Sequence, residues 1–250
     1  MISSDAGCTE IMHLDRIEIS VKPWAWEFAE LRRAEISEHF AILKSKRSAV
    51  WNGRVLLLNH FSIGDAILRG SCFETDYASF IAWHDWNFPD PTVNNFFAAA
   101  ALRSADGAYF VGEMAPYTAR AGQLYFPCGT PDPSAIDDRG TFDPIGHLNR
   151  ELQEEIGISI DELDAEPGWV LVRDRCYLAL IRRLISHQNA DDLRSRVIRH
   201  IRSERQSELS DLRIVRGPAQ LDARMPTFVR AFLDEQWRKA LQVNYCWPPL

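Results

Sequence analysis

Short blocks of apolar residues follow one another along the chain. Some show the alternation typical of strands and others the three-to-four-residue spacing typical of helices. The strand-like blocks lie at 13–21, 49–51, 55–58, 67–73, 98–103, 108–114, 123–127, 169–172, 177–182 and 212–216. The helix-like blocks lie at 23–40, 77–86, 144–156, 191–205 and 226–243. Strands and helices that interleave in this way predict a mixed architecture, α/β or α+β.

Turn and cap residues support several of these boundaries. Asn52-Gly53 predicts a two-residue hairpin turn between 49–51 and 55–58, and residues 105–107 predict a second hairpin turn. Asp76 and Asp143 stand where helix N-caps are expected, and Gly157 stands where the second of these helices ends.

The prolines at 89 and 91 interrupt the pattern and suggest an edge between two parts of the chain. We therefore predict an N-terminal α/β extension over 1–93, a second domain over 94–242 and a C-terminal tail over 243–250.

Composition excludes several classes of function. The formal net charge of −7 is the wrong sign for a protein that binds nucleic acid mainly through phosphate contacts. The longest apolar stretch, 96–102, is far shorter than a membrane-spanning helix, so we expect no membrane partner. The five cysteines include no CxxC pair, which is typical of free thiols in a reducing compartment and predicts a cytoplasmic protein.

One segment carries most of the candidate chemistry. On a helix, Glu151, Glu154 and Glu155 share one face, where three like charges repel one another. A hard divalent cation such as Mg²⁺ or Mn²⁺ would compensate this repulsion, because such ions prefer oxygen ligands. The alternative is an acidic helix face in water. Leu152 and Ile156 would anchor the opposite face in the core.

The run Arg150-Glu151-Leu152-Gln153-Glu154-Glu155-Ile156-Gly157-Ile158 resembles the second half of the Nudix box of the Nudix hydrolases, G-x5-E-x7-R-E-U-x-E-E-x-G-U. The resemblance implies an α/β/α sandwich with a mixed sheet over about 94–242. It also implies a Mg²⁺- or Mn²⁺-dependent hydrolase that cleaves the diphosphate linkage of a nucleoside diphosphate derivative by water attack at phosphorus.

The first half of the box departs from that pattern. Ile136 and Phe142 occupy the positions of the box glycine and glutamate, and the natural counterpart of the glycine is Gly129. A seven-residue insertion therefore separates Gly129 from the helix. In the family the missing glutamate pairs with the box arginine. Four acidic residues could replace it here, and the sequence leaves the choice open: Asp132, Asp137, Asp138 and Asp143.

The resemblance also implies roles for individual residues. The metal ligands would be Glu151, Glu154 and Glu155, and the catalytic residues Glu154, Arg150 and Glu208, with Glu204 and Asp211 as weaker candidates for the base. Gly129 and Thr130 would bind substrate. Arg120, in the loop before the strand at 123–127, could reach a substrate phosphate, and the alternative is a surface arginine without a role. We expect His147 to be a partly exposed helix residue, Cys128 to be no nucleophile, and the aromatic side chains at 83, 86 and 88 to pack rather than to stack on a base.

Two other classes of function stay open. The altered first half of the box would suit a nucleotide-sensing or regulatory protein that kept the fold and lost turnover. An acidic scaffold that binds a partner protein through 1–93 would need no metal. For the hydrolase the partner would be a small-molecule diphosphate substrate, and the sensor would bind the same class of compound without turnover. A homodimer is one open arrangement of the chain.

Overall fold

The structure is a computed structural model that describes residues 9–46, 50–118 and 120–245, without the side chains of 240–245. Its strands are β1 (Glu10–Leu14), β2 (Arg16–Val21), β3 (Arg54–Gly64), β4 (Ile67–Asp76), β5 (Asn95–Arg103), β6 (Tyr109–Met114), β7 (Leu124–Tyr125), β8 (Leu163–Ala165), β9 (Trp169–Asp174), β10 (Tyr177–Ser186) and β11 (Leu209–Val215). Its α-helices are α1 (Glu27–Leu31), α2 (Arg33–Lys46), α3 (Tyr77–Asp85), α4 (Pro144–Ile156), α5 (Ala190–Ser203) and α6 (Thr227–Tyr245).

The main sheet is mixed and has eight strands in the order β1-β9-β10-β5-β6-β11, with β7 beside β6 and β8 beside β10. Strands β5 and β10 run parallel, and the other pairs are antiparallel. The side chains of β5 alternate between two cores. Ala98, Ala100 and Leu102 face the core under α4 and α5, whereas Phe97 and Ala99 face the core under α6. Helices thus cover both faces, and the predicted α/β/α sandwich with a mixed sheet is confirmed.

The N-terminal region adds a three-stranded sheet in the order β2-β4-β3. One of its faces, which includes Leu58 and Leu68, packs into the same core as α4. The other face, which includes Leu57 and Phe73, packs against α1, α2 and α3. The two parts of the chain therefore share hydrophobic core, and the division at residue 93 stays a prediction.

The single strand predicted at 13–21 is wrong. The chain changes sheets at Asp15, whose N–H donates to the carbonyl of Ala66 at 2.7 Å. Before this point β1 pairs with β9 of the main sheet, and after it β2 pairs with β4 of the small sheet. The apolar positions change phase at this point, from Met12 and Leu14 to Ile17 and Ile19, with two polar residues between them. The sequence therefore carries a sign of the break that the single-strand prediction overlooked.

The hairpin predicted at Asn52-Gly53 is also wrong. The described residues 50–53 form no strand, residue 49 lies outside the described residues, and the Asn52 side chain accepts from the backbone N–H of Ala78 at 2.8 Å. The actual hairpin joins β3 and β4 through Asp65 and Ala66, whose φ angles are +52° and +55°. Two positive φ angles are typical of a type I′ turn, which glycine or asparagine usually supplies.

Most other predicted elements are confirmed with small shifts of their ends. The first helix is an exception, because it begins at Glu27 rather than at residue 23 and breaks into α1 and α2. The strand predicted at 123–127 shrinks to β7. The start of the predicted tail, 243–245, belongs to α6, and 246–250 lie outside the described residues. In the part of the chain that is described, no helix has both the length and the apolar character needed to span a membrane.

Candidate active site

Helix α4 forms where the sequence predicts it. The Asp143 carboxylate accepts from the backbone N–H groups of Ile145 and Gly146 at 3.1 and 3.0 Å, which caps the first turn. Gly157 ends the helix in the left-handed conformation at φ +67°. Buried leucine and isoleucine side chains fix one face against the sheet: Leu148, Leu152 and Ile156. The three glutamates, Glu151, Glu154 and Glu155, lie beside this anchored face of the helix.

The three glutamates of α4 differ in burial. Glu155 is buried, Glu151 is half-buried and Glu154 is exposed. Burial and the neighbouring carboxylates raise the pKa of Glu155 well above its usual range, although the backbone N–H of Cys128 donates to it. Burial also raises the pKa of Glu151 to about 7, against the opposing effect of Arg150. The site thus concentrates negative charge that the protein itself stabilises poorly.

Glu208 belongs to the same group of carboxylates. It immediately precedes β11, and partial burial of its carboxyl group together with the nearby Glu154 raises its pKa. The other two downstream candidates are placed differently. Asp211 forms an ion pair with Arg194 at 2.6 Å, and Glu204 is the C-cap residue of α5.

The donor chemistry of this group fits a hard divalent cation, because all of its donors are carboxylate oxygens and they raise one another's pKa values. With the side chains as they stand, no three His, Cys, Asp or Glu residues within the described ranges are arranged to hold a metal ion. The carboxylates therefore supply the oxygen ligands that such a cation prefers, but their side chains would have to rearrange to coordinate it together.

Gly129 allows Glu151 to lie directly against the backbone. A Cβ atom at position 129 would meet both carboxylate oxygens of Glu151 and lie 2.6 Å from its Cδ. The carbonyl of Gly129 also lies 3.0 Å from Nε2 of His147. A side chain at position 129 would therefore displace a carboxylate of the site.

The expectation that His147 is partly exposed is wrong, since it is 1% exposed. Its Nδ1 lies 3.0 Å from Nη2 of Arg150, and a guanidinium can only donate. Nδ1 therefore accepts, and Nε2–H donates to the Gly129 carbonyl. Burial lowers the pKa of His147 to about 4, which keeps the ring neutral.

The structure identifies the acidic neighbour of Arg150. The guanidinium lies 3.5 Å from Asp132 and 3.7 Å from Glu151, and it donates to the Ser134 hydroxyl. Of the other residues weighed for this role, Asp143 caps α4 and Asp137 pairs with Arg139 at 2.9 Å. The inserted loop therefore supplies the carboxylate nearest to Arg150.

Phe142, which stands at the position of the box glutamate, is a core residue. Its ring packs on Phe96 and His147 at centroid distances of 5.1 and 5.8 Å. Its backbone N–H donates to the Ile19 carbonyl at 2.9 Å, and the N–H of Val21 donates to the carbonyl of Gly140 at the same distance. The small N-terminal sheet thus holds the end of the insertion in place.

A cavity of about 480 Å³ opens beside the carboxylates. Four of the predicted site residues line it: Arg120, Gly129, Thr130 and Glu155. Aromatic and apolar side chains form much of the remaining wall, among them Phe97, Tyr125, Tyr177 and Phe228. Glu151, Glu154 and Glu208 lie outside this lining and act on Glu155 through their charge.

The N-terminal region forms one wall of this cavity, through Leu43 of α2 and five residues of α3: Tyr77, Phe80, Ile81, His84 and Asp85. Sequence reasoning missed these residues, because 1–93 carries no motif with a known role. The aromatic residues that it did weigh are packing residues. Trp83 is fully buried and packs on Phe88 at 4.7 Å, and Trp86 lies under the guanidinium of Arg32.

Cys128 lies next to Gly129 and lines the cavity, but its thiol is poorly suited to attack. Burial and the carboxylates of Glu155, Glu151 and Glu208 raise its pKa well above the usual value. A thiol in such surroundings stays protonated at neutral pH, and the protonated form is a weak nucleophile.

Comparisons with known proteins give matches only in structure. No model of a protein family matches the chain. No curated protein matches it in sequence. Solved structures that match include the MutT protein from Methanosarcina mazei, with 14% identity over 59% of this chain and 95% of that chain and a TM-score of 0.40. A Nudix hydrolase from M. smegmatis matches with 15% identity over 63% of this chain and 89% of that chain, and the TM-score is 0.36.

The Nudix domain of NrtR from Shewanella oneidensis, solved with ADP-ribose, matches with 14% identity over 64% of this chain and 97% of that chain. The TM-score is 0.37. The chain is a mixed α/β sandwich that carries the Nudix-like sequence at 150–158, and it is similar to the solved Nudix hydrolases.

Proposed function

We propose that this protein is a Mg²⁺- or Mn²⁺-dependent hydrolase that cleaves the diphosphate linkage of a nucleoside diphosphate derivative by water attack at phosphorus. The observation that carries the proposal is the pair of buried and half-buried carboxylates, Glu155 and Glu151, beside a cavity of about 480 Å³. Their raised pKa values mean that ionising them costs free energy unless a cation is close.

Glu151, Glu154 and Glu155 would hold the cation. When bound, a divalent cation supplies neutralisation of phosphate charge and lowers the pKa of a coordinated water. Arg150 would hold Glu151 in place, since its guanidinium lies 3.7 Å from that carboxylate. Glu208 would take up the proton of the attacking water, because its raised pKa makes it a stronger base than an ordinary glutamate.

The cavity supports a nucleoside derivative as substrate. Its volume lies within the range of about 300–1,000 Å³ that is typical of small-molecule sites, and its walls are rich in aromatic rings. Asn95 also lines it, and its buried Oδ1 has no hydrogen-bond partner among the described residues. Rotation of that amide would offer an acceptor to an N–H or O–H group of a bound ligand.

A panel of diphosphates tests the proposal: ADP-ribose, NADH, coenzyme A, nucleotide sugars, dinucleoside polyphosphates and nucleoside triphosphates, each with Mg²⁺ or Mn²⁺. Products are identified by mass, and ¹⁸O-labelled water shows which phosphorus is attacked. We expect one compound to release a phosphate-containing product with ¹⁸O. Glu154→Gln should abolish this release, and Asp161→Asn, at an exposed residue on the connection after α4, should leave it unchanged. Absence of product from every compound would overturn the proposal.

One observation favours a second candidate, a nucleotide-sensing protein without turnover. The position of the box glutamate holds the buried Phe142, so the inserted loop lacks that carboxylate. This candidate predicts that a member of the same panel binds and leaves unchanged. The proposed hydrolase predicts steady product release, and a scaffold that binds a partner protein predicts that neither ligand nor cation has an effect.

A further inference from the structure

Arg120 is an unpaired cation in the cavity. It lines the same cavity as Gly129 and Glu155. Across the described ranges, no carboxylate lies within 4.0 Å of its guanidinium, the limit for an ion pair. Its neighbours are Nε2 of His84 at 2.7 Å and the hydroxyl of Tyr177, both of which can accept a hydrogen bond. Because its partners are neutral, the positive charge of this half-buried guanidinium is not balanced by a carboxylate and can attract an anionic ligand.

His84 can only accept from Arg120, because a guanidinium has no lone pair to offer. The proton of the ring is therefore on Nδ1, which lies 2.9 Å from Oδ1 of Asp85 and donates to it. Burial lowers the pKa of His84, which favours the neutral ring that this arrangement needs. Asp85 thus orients His84, and His84 orients Arg120.

The ring of His84 is itself fixed by packing. It lies edge-on to Phe88 and Tyr177 at centroid distances of 5.5 and 6.2 Å. His84 belongs to α3 of the N-terminal region, whereas Arg120 precedes β7 and Tyr177 begins β10 of the main sheet. The contact between His84 and Arg120 therefore joins the two parts of the chain inside the cavity.

We propose that His84 is a positioning residue of the ligand site, which holds the Arg120 guanidinium toward a phosphate group of the ligand and makes the N-terminal region one wall of that site. The identity of the ligand as a phosphate-bearing nucleoside derivative rests on the proposed function. A phosphate fits because its oxygens can accept two parallel N–H bonds from one guanidinium. The binding site then requires both parts of the chain.

A double-mutant cycle in the full-length protein tests this role. The probe is adenosine 5′-methylenediphosphonate, a diphosphate analogue that cannot be hydrolysed at its bridge, and its dissociation constant is measured by calorimetry with Mg²⁺. We expect Arg120→Met and His84→Leu each to weaken binding, the latter by about tenfold, the cost of a hydrogen bond to a charged group. The double variant should bind no more weakly than Arg120→Met alone.

Two further variants separate positioning from simple packing. His84→Gln should recover most of the affinity, because the amide oxygen can accept from Arg120. His39→Leu is the matched control, since His39 contacts the same Asp85 side chain at 3.0 Å but does not reach Arg120. It should bind the probe like the wild type. For a compound that is turned over, His84→Leu should raise KM and leave kcat unchanged.

Equal binding by His84→Leu and the wild type would overturn the inference. So would a full additional loss when His84→Leu is combined with Arg120→Met, or a failure of the wild type to bind the probe. The outcome is separable from that of the proposed function. If the losses in affinity of His84→Leu and Arg120→Met are not additive and no compound is turned over, the inference holds and the proposed hydrolase fails. If a compound is turned over and the two losses are additive, the hydrolase holds and the inference fails.

Discussion

Replacing Glu151 by glutamine should change how the stability of the metal-free protein depends on pH. The pKa of Glu151 is about 7 in the folded protein, compared with 4.5 for an ordinary glutamate. Between these values the folded state binds more protons than the unfolded state, so stability falls as pH rises from about 4.5 to about 7. Above pH 7 the penalty is complete.

The size of the effect follows from the same pKa values. At about 1.4 kcal/mol per pKa unit, ionised Glu151 costs the folded state about 3 kcal/mol. The side chain is only 13% exposed, so water screens this penalty weakly. Glutamine keeps the shape and cannot ionise. Glu151→Gln should therefore match the wild type near pH 4.5 and exceed its free energy of unfolding by about 3 kcal/mol at pH 8.

The assay is urea unfolding without divalent ions at pH 4.5, 6, 7 and 8. Asp161→Asn, at an exposed carboxylate outside the site, is the control and should follow the wild type. Mn²⁺ at about a hundred times its dissociation constant should stabilise the wild type at pH 8 by about 2.7 kcal/mol and Glu151→Gln by much less. Parallel curves for wild type and Glu151→Gln over this pH range would refute the reasoning.

Three further substitutions test other parts of the account. Gly129→Ala should lower the affinity for Mn²⁺ at least about tenfold, because the new Cβ displaces the adjacent Glu151 carboxylate. Gly64→Ala is the control, since its Cβ meets nothing within 4 Å, and it should leave the affinity unchanged. A Mn²⁺ titration measures both, and equal affinities would contradict the prediction. Asp132→Asn keeps the side-chain shape but removes the charge beside Arg150, and we expect kcat to fall about tenfold in steady-state assays; an unchanged kcat would contradict this role. Trp83→Ala should lower the free energy of unfolding by about 3–5 kcal/mol in urea titrations, because the fully buried indole leaves a cavity, and a loss below about 1 kcal/mol would be inconsistent with its packing.

Local signals predicted α4 almost to the residue. Its cap at Asp143, its apolar face and its end at Gly157 all depend on residues within one or two turns. The same reasoning failed for the first hairpin, because its turn residues Asp65 and Ala66 adopt positive φ without the glycine that usually signals such a turn. Asn52-Gly53 has the residues of a hairpin turn, but in the fold the Asn52 side chain accepts a hydrogen bond from the backbone N–H of Ala78 instead.

Non-local pairing decided the features that the sequence left open. The nearest acidic neighbour of Arg150 is Asp132, eighteen residues earlier in the chain, because the folded insertion brings it there. The cavity wall from α3 depends on packing between two distant parts of the chain, so no spacing pattern marks His84. The α4 carboxylates were predictable as a group, whereas their unequal burial required the fold.

Manganese binding tests the central claim most directly. Electron paramagnetic resonance of Mn²⁺ at pH 7.5 measures the free ion, and ³¹P electron–nuclear double resonance detects phosphorus close to a bound ion. With adenosine 5′-methylenediphosphonate present, the wild type should remove free Mn²⁺ at one site and show ³¹P coupling, and the variant with both Glu151→Gln and Glu155→Gln should do neither. A wild type that leaves the Mn²⁺ spectrum unchanged, or a double variant that binds as tightly, would contradict the account.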